Sequence, residues 1–233
     1  MAQVYDSIML DIDYEAWGEF VLETAQARGW QGRSILDLGC GTGNSSFPFW
    51  AQGYQVSGLD ASEAMLQVAR EKLPPVRFVC AEFSSFYLAE RFDLVVSMFD
   101  SLNNLLEPAA FLATCERVYS HLNSGGLFMF DVNTSLGLRD LWESGRAEGW
   151  VDDVYYCWDH SFDEANKRAK VIAYCQRGDW HFTEVHYERP YDHDEVVDML
   201  QQAGFVDISM LSFPSGRPAS ADALRLWGVA RKL

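Results

Sequence analysis

The stretch at residues 35–44 reads Ile35-Leu36-Asp37-Leu38-Gly39-Cys40-Gly41-Thr42-Gly43-Asn44. Its apolar start predicts a short strand, and the three alternating glycines predict a tight loop that a ligand can approach without meeting a Cβ atom. Helical signal follows over residues 44–52, and the first turn of a helix offers unpaired N–H groups and a positive dipole end. The stretch therefore predicts a ligand-binding loop between a strand and a helix.

Strand and helix signals alternate on both sides of this loop. Amphipathic helices are predicted at residues 14–28 and at 193–203, the second capped by Asp192 and ended by Gly204. The remaining predicted elements are helices that begin at Ser62 and near Leu112, the latter ended by Gly125-Gly126, and strands at 35–38, 55–60, 76–83, 92–99, 127–132, 206–213 and 224–231. This alternation predicts a doubly wound α/β fold with a seven-stranded, mostly parallel sheet.

Residues 141–191 interrupt the alternation with strand-like sequence. Turn signals at residues 163–167 and 177–179 divide this segment into about three antiparallel strands. It holds eleven aromatic residues in 51 positions, which either form the core of a small sheet or cover a ligand. We expect one domain, residues 1–233, in which this antiparallel β insertion is a lid on the substrate side.

The composition narrows the classes of partner. The chain of 233 residues carries 34 acidic and 18 basic residues, a net charge of −16, which disfavours binding to nucleic acid. No apolar run is long enough to span a membrane, and the first residues do not resemble a secretory signal. The five cysteines form no CxxC pair, so we expect no disulfide framework and no bound metal. A cytoplasmic monomer or homodimer is expected.

Asp60 is a second marker of the ligand. It lies seventeen residues after Gly43, at the end of the second predicted strand, where a carboxylate accepts hydrogen bonds from a ribose diol. Dinucleotide-binding loops follow G-x-G-x-x-G and would have glycine where this chain has Asn44. The carboxylate of Asp37 would repel a pyrophosphate and attract an ammonium or sulfonium group. The loop therefore favours a ligand with a ribose and a positive charge over a nicotinamide dinucleotide.

These motifs resemble those of class I methyltransferases that use S-adenosylmethionine. Residues 37–43 resemble the first motif of that family, and Gly58-Leu59-Asp60-Ala61-Ser62 with Met65-Leu66 resembles the second. Ala81-Glu82-Phe83 stands where the family has an acid-bearing pair, and residues 92–103 resemble the fourth motif. The resemblance covers residues 34–133 and implies a Rossmann-like fold, S-adenosyl-L-methionine as cofactor and methyl transfer as the reaction.

A narrower resemblance points to a bacterial group of small methyltransferases that includes amino-sugar N-methyltransferases. It rests on Tyr5-Asp6, on residues 13–17 and on Phe99-Asp100-Ser101-Leu102-Asn103, and the insertion after the fifth strand is also typical of that group. It implies that Tyr14 and Trp17 help to close the cofactor site. The alternative is that both belong to the apolar face of an ordinary helix.

The resemblance assigns roles to individual side chains. The implied cofactor-binding residues are Asp37, Gly39, Cys40, Gly41, Gly43, Asp60, Ala61, Met65, Glu82, Phe83, Phe99, Tyr14 and Trp17. The candidate catalytic residues are Asp100, Asn133 and Tyr14, of which Asn133 can orient a substrate but cannot act as a base. Asp131 lies within a strand and is a weaker candidate. His181 and His186 are expected on opposite faces of one strand, where they cannot share a metal.

The leading hypothesis is a methyltransferase that acts on a small-molecule amine or hydroxyl group. Aromatic residues of the insertion and acidic groups near the loop would suit a cationic or ring-shaped acceptor. Two alternatives stay open: a protein methyltransferase, and a regulator that binds S-adenosylmethionine or S-adenosylhomocysteine without turnover. Asp100-Ser101-Leu102-Asn103 occupies the place of an Asn-Pro-Pro-Tyr tetrad, which argues against methylation of DNA bases.

Overall fold

The computed structural model describes residues 2–142 and 145–233, the side chain of Gln3 excepted. Its helices are α1 (Ala2–Ile8), α2 (Tyr14–Ala27), α3 (Phe47–Ala51), α4 (Glu63–Lys72), α5 (Pro108–His121), α6 (Ser135–Trp142) and α7 (His193–Gln202). Its strands are β1 (Ser34–Leu38), β2 (Gln55–Asp60), β3 (Arg77–Cys80), β4 (Phe92–Ser97), β5 (Leu122–Asn133), β6 (Arg146–Val151), β7 (Val154–Asp163), β8 (Arg168–Arg177), β9 (Trp180–Glu188), β10 (Val206–Leu211) and β11 (Arg225–Arg231).

The large sheet has seven strands in the order β10-β11-β5-β4-β1-β2-β3. The strands β1 to β5 are parallel to one another, whereas β11 is antiparallel to both β5 and β10. This confirms the predicted mostly parallel, doubly wound sheet. The order reverses between β1 and β4, and open α/β sheets bind ligands at the carboxyl ends of strands at such a switch point.

Both faces of the large sheet are covered, which explains its long apolar strands. Val95 and Phe128 belong to the core that includes residues of α5 and α7. Leu94 and Val96 point to the other face, where the core includes residues of α2, α3 and α4. Strands buried on both faces read as continuous apolar runs, as predicted for residues 92–99.

The small sheet, β6-β7-β8-β9, is antiparallel throughout. It has four strands where about three were predicted. The additional strand is β6, whose sequence Arg-Ala-Glu-Gly-Trp-Val has no alternating apolar pattern and whose residues are exposed or half-buried. Its backbone pairing with β7 over the whole length of β6 therefore determines the strand, and this pairing is not visible in the local sequence.

Two predicted helix ends are wrong: the residues that end α5 and the side-chain cap at the start of α7. Gly125-Gly126 does not end α5, because that helix ends at His121 and β5 begins at Leu122. Gly125, with φ +78°, lies within β5, and its N–H donates to the carbonyl of Lys232 at 2.8 Å. Asp192 makes no side-chain cap on α7. Its carboxylate accepts hydrogen bonds from the N–H and hydroxyl of Ser135, at 2.9 and 2.7 Å.

Three contacts hold the small sheet over the carboxyl edge of the large one. Near one end, Val4 of α1 packs with Val154 and Cys175. Near the other end, α6 packs on Ala169 and also contacts β5. The third contact is a pair of hydrogen bonds after β9, described with the site below. No helix within residues 2–142 and 145–233 is both long and apolar enough to cross a membrane.

Candidate active site

The glycine loop folds back over the end of β2. The N–H groups of Gly39 and Cys40 both donate to the carbonyl of Leu59, at 2.7 and 3.1 Å. Gly39 has φ +85°, and a Cβ atom there would lie 2.7 Å from the Ser101 hydroxyl. Gly41 has φ +52° but opens into free space, with no atom within 4 Å of a Cβ built there. The backbone at Gly41 is therefore accessible to a ligand, as the loop motif requires.

Asp60 lies between this loop and the first turn of α4. One carboxylate oxygen accepts from the Gly41 N–H at 2.9 Å, and the other accepts from the Ser62 N–H at 2.8 Å. The residue is half-exposed, and each carboxylate oxygen can accept a further hydrogen bond. The carboxylate is placed where the ribose contact was predicted, and the contact itself stays a prediction.

Asp37 is fully buried beneath the loop. One of its oxygens accepts from the hydroxyls of Ser45 and Ser46, at 2.7 and 2.6 Å, and the other has no hydrogen-bond partner among the described residues. Burial raises the pKa of Asp37 to about 6, although the two serine hydroxyls act to lower it. The carboxylate thus holds the chain beneath the loop. Its attraction to an ammonium group of the ligand stays a prediction.

A small cavity of about 40 Å³, room for a few waters, lies above the loop. It is lined by Tyr5, Tyr14, Gly39, Cys40, Gly41, Thr42, Asn44, Ser45, Met98, Phe99 and Ser101. Tyr14 lines it directly, and its hydroxyl lies beside Tyr5 and Asn44. Trp17 lies one layer further out, because it stacks on Phe99 with 4.2 Å between ring centroids. Of the two aromatic residues predicted to close the cofactor site, only Tyr14 therefore reaches the cavity.

The other predicted cofactor residues lie around the same loop. A Cβ atom on Gly39 would lie 3.0 Å from the ring of Phe83, which places the end of β3 next to the loop. Cys40 is buried against Gly58. Ala61 and Glu82 are exposed and Met65 is half-buried. The strand ends that carry the predicted residues thus meet at one edge, and the role of each residue stays a prediction.

Asp6 fastens α1 onto the glycine loop. Its carboxylate accepts from the Thr42 hydroxyl at 2.6 Å and the Asn44 amide at 3.0 Å, and it pairs with the Lys72 ammonium at 2.8 Å. Helix α1 was not predicted, because seven residues carry too little periodicity. Tyr5-Asp6 belonged to the narrower resemblance, which was the available signal for this segment.

The turn after β4 holds two consecutive residues in the left-handed conformation, Phe99 (φ 58°) and Asp100 (φ 49°). This region is unfavourable for a residue with a large side chain and persists when the surroundings fix it. Here the Asp100 N–H donates to Asp131 at 3.0 Å, and its carbonyl accepts from the Asn103 N–H at 2.8 Å. The turn thus presents Asp100 at the carboxyl edge of the sheet, where it was predicted.

Arg225, at the start of β11, binds two of the predicted catalytic candidates. Its guanidinium pairs with Asp100 at 3.0 Å and donates to the fully buried Asp131. Burial raises the pKa of Asp131, and Arg225 acts in the opposite direction. Glu188, at the end of β9, belongs to the same group because Asp100 and Arg225 both act on its charge. In the described ranges, no three His, Cys, Asp or Glu side chains are arranged to hold a metal.

Asn103 joins the turn after β4 to β5 and to the small sheet. Its side-chain amide donates to the carbonyls of Asn133 and Arg189, at 3.0 and 2.8 Å, and its side-chain oxygen accepts from the Asn133 N–H at 2.9 Å. Its own carbonyl accepts from the Arg189 N–H at 2.8 Å. Asn133 is 2% exposed, and its side-chain amide nitrogen has no hydrogen-bond partner in the described structure.

Sequence reasoning assigned no site role to several residues at this edge, among them Tyr5, Asp6, Glu188 and Arg225. Glu188 and Arg225 lie far along the chain from the loop, and neither is part of a motif. His181 and His186 lie on opposite faces of β9, as predicted, because their cross-strand partners Gln176 and Val171 alternate along β8.

The chain is similar to known methyltransferases in sequence and in fold. Residues 35–126 match the family model of a methyltransferase domain. One relative is a Geobacillus sp. protein whose name says only that it is a methyltransferase. It is 29% identical over 239 residues, which are 98% of this chain and 96% of that protein. The dTDP-3-amino-3,4,6-trideoxy-alpha-D-glucopyranose N,N-dimethyltransferase of Streptomyces venezuelae is 29% identical over 231 residues, 93% of this chain and 94% of that protein.

A solved structure supports the fold independently. An S-adenosylmethionine-dependent methyltransferase from Clostridium acetobutylicum has a TM-score of 0.88 and 24% identity, over 99% of this chain and 97% of that one. The residues at the loop fit the cofactor: the backbone at Gly41 is open, Asp60 is half-exposed, and Asp37 has one oxygen without a partner. Residues 35–126 are a methyltransferase domain, and over nearly its whole length the chain is similar to S-adenosylmethionine-dependent methyltransferases, amino-sugar N,N-dimethyltransferases among them.

Proposed function

We propose that this methyltransferase transfers the methyl group of S-adenosylmethionine to an amino group of a small molecule. The observation that carries the proposal is the cluster at the sheet edge, where Arg225 pairs with Asp100 and Asp131 and acts on the charge of Glu188. Three carboxyl groups beside one guanidinium group favour a cationic ligand over a neutral one, because a bound cation would stabilise their charged forms. The amino-sugar N,N-dimethyltransferase among the full-length relatives supports the same acceptor class.

The bound cofactor supplies an electrophilic methyl group on a sulfonium centre. In this proposal Asp60 binds the ribose hydroxyls, Glu82 approaches the adenine, and Met65 and Phe83 flank the rings. Asp37 and the backbone of Gly39, Gly41 and Gly43 hold the methionine end. The positions of the strand ends around the loop support these roles.

The chain's part in the reaction is to align the acceptor with that methyl group. Tyr14 and Asn133 would orient the acceptor, and Asp100 would attract its positive charge from the turn after β4. The small sheet, within the insertion of residues 141–191, would act as the lid of a single domain. Its inner aromatic side chains, Tyr156, Trp158 and Phe162, would exclude water above the acceptor.

The first experiment is a calorimetric titration with S-adenosylhomocysteine, with NADH as the control ligand. We expect the protein to bind S-adenosylhomocysteine and not to bind NADH. With S-adenosylmethionine it should then methylate members of a panel of primary and secondary amines. Each amine is paired with the alcohol of the same skeleton. Methyl transfer confined to the alcohols would overturn the proposed amine acceptor.

The two other functions give different results in the same assays. A protein methyltransferase would label polypeptides and leave the small amines unmodified. A non-catalytic regulator would bind S-adenosylhomocysteine stoichiometrically and transfer no methyl group to any member of the panel. Either result would replace the proposed function.

A further inference from the structure

Glu188 points toward the large sheet from the inner face of the small one. It is the last residue of β9 and pairs in register with Ala169 of β8. Directly opposed residues of antiparallel strands share one face of a sheet. Ala169 is fully buried, in a cluster with Leu138 and Trp142 of α6. Because α6 lies between β5 and β7, the face that carries Glu188 faces the carboxyl edge of the large sheet.

The chain next to Glu188 is fixed to the turn that carries Asp100. The N–H of Arg189 donates to the carbonyl of Asn103, and the carbonyl of Arg189 accepts from the Asn103 side chain, both at 2.8 Å. Asn103 lies three residues after Asp100. The two hydrogen bonds thus hold the end of β9 against this turn. Glu188 then lies near enough to Asp100 and Arg225 for their charges to act on its pKa.

The carboxylate of Glu188 has an oxygen that the described protein does not satisfy. Its Oε2 atom is buried and has no hydrogen-bond partner. The nearby Arg225 already binds Asp100 and Asp131. Asp131 and Asn133, which are 0% and 2% exposed, also have an unpartnered side-chain oxygen and nitrogen. Buried polar atoms without partners are rare and point to a missing partner such as a ligand.

We propose that Glu188 receives the proton of the acceptor's ammonium group, so that the neutral amine can accept the methyl group. The inference rests on the proposed amine acceptor and adds the residue that activates it. In the first step an N–H bond of the ammonium breaks and the proton passes to the Glu188 carboxylate. The nitrogen lone pair then forms the N–C bond as the C–S bond breaks. The products are a methylated ammonium, S-adenosylhomocysteine and a proton that leaves Glu188 for water.

The surroundings of Glu188 suit a proton acceptor for amines. Burial raises its pKa, Asp100 raises it further, and Arg225 acts to lower it. The other titratable groups on the inner face near Glu188 are His186 and Glu184 of β9, which lie 3.2 Å apart, and His160 of β7, while Asp131 of β5 shares Arg225 with Asp100. A carboxyl group with a raised pKa is better matched to the proton of an ammonium ion than an ordinary one is.

The test compares Glu188→Gln and Glu188→Asp with Glu148→Gln, which makes the same acid-to-amide change on exposed β6. With the best amine of the panel, Glu188→Gln is expected to lower kcat by about 100-fold or more, the usual range for a general base. Affinity for S-adenosylhomocysteine should not change. Glu188→Asp should recover part of the lost rate, and Glu148→Gln should match the wild type. The rise of kcat with pH should be lost in Glu188→Gln.

The outcomes separate this inference from the proposed function. If the wild type methylates amines and Glu188→Gln does so at the same rate with the same pH profile, the inference is overturned and the proposed function stands. If no amine is methylated, the proposed function fails, and nuclear magnetic resonance of ¹³C-labelled glutamate carboxyls still tests the residue. With S-adenosylhomocysteine bound, cyclohexylammonium should lower the pKa of the Glu188 carboxyl, and cyclohexanol should not. A carboxyl that responds to neither overturns the inference.

Discussion

Asp60 uses both carboxylate oxygens to hold the glycine loop against α4, through the N–H groups of Gly41 and Ser62. We expect Asp60→Ala to weaken binding of S-adenosylhomocysteine by about 10- to 100-fold, because it removes charge-assisted hydrogen bonds worth about 1.5–3 kcal/mol each. Calorimetry measures the change, and Asp194→Ala, an exposed position on α7, is the control. Equal affinities for the two variants would refute the ribose contact.

Asp93 is a stabilising carboxylate at the opposite edge of the sheet from the loop. It accepts hydrogen bonds from the N–H groups of Arg33 and Ser34, at 2.9 and 3.0 Å, and from the Asn123 amide at 2.8 Å. We expect Asp93→Ala to lower the free energy of unfolding by about 2–3 kcal/mol in urea, from the loss of hydrogen bonds to a charged group. Asp140→Ala, on the exposed side of α6, should change it by less than about 0.5 kcal/mol.

The pH dependence of Asp93 follows from the same contacts. Partial burial acts to raise its pKa, but the hydrogen bonds dominate and hold it at about 2. The unfolded chain has the higher pKa of an ordinary aspartate, about 3.9. The stabilisation by Asp93 is therefore complete above about pH 4 and is lost as the pH falls toward 2. Unfolding curves of Asp93→Ala should show a smaller loss of stability over that range than the wild type.

At the scale of elements, α1 covers the cofactor loop and Asp6 is its main polar attachment. Since the Asp6 side chain is 41% exposed, solvent screens its ion pair with Lys72. We expect Asp6→Ala to accelerate dissociation of S-adenosylhomocysteine by about two- to tenfold, equivalent to roughly 0.5–1.4 kcal/mol. Stopped-flow dissociation measures this change. Asp11 is exposed just after α1, so Asp11→Ala should leave the rate unchanged. An unchanged rate in both variants would contradict the role of Asp6 in holding α1 on the loop.

Asn103 is the polar joint between the two sheets. Replacement by alanine leaves carbonyls of Asn133 and Arg189 and the Asn133 N–H without their side-chain partner. We expect Asn103→Ala to reduce the free energy of unfolding by about 2–4 kcal/mol, because unsatisfied buried groups cost about 1–3 kcal/mol each. The adjacent Asn104→Ala is a matched control, since Asn104 is exposed and bonds only within its own turn. Similar urea midpoints for the two variants would exclude this role.

At the scale of the whole molecule, the predictable parts of the fold are those that local sequence determines. Residues 35–60 contain a strand, a glycine loop and a second strand that ends at Asp60, and each step has a physical reason within a few residues. The seven-stranded sheet followed because repeated strand-helix units leave few ways to connect parallel strands. The positions of the candidate residues at the strand ends follow from the same rule.

The unpredicted parts depend on contacts between distant residues. Arg225 and Asp131 are 94 positions apart, and no local pattern relates them. Glu188 lies in a strand whose two faces are both exposed or half-buried, so its sequence does not indicate which face turns inward. Phe99 was named as a cofactor residue, but its left-handed backbone conformation was not predicted, because phenylalanine rarely adopts it. Such strain is fixed by tertiary contacts and often occurs at functional turns.

The way in which the small sheet is joined to the turn after β4 affects how this enzyme can evolve. Asn103 binds the main-chain N–H and carbonyl of Arg189, which every residue except proline provides at that position. The joint therefore places few demands on the side chains of the small sheet. In a protein whose small sheet covers the acceptor as proposed, inner-face positions other than Glu188 can therefore change, and with them the acceptor, while the turn after β4 keeps its place.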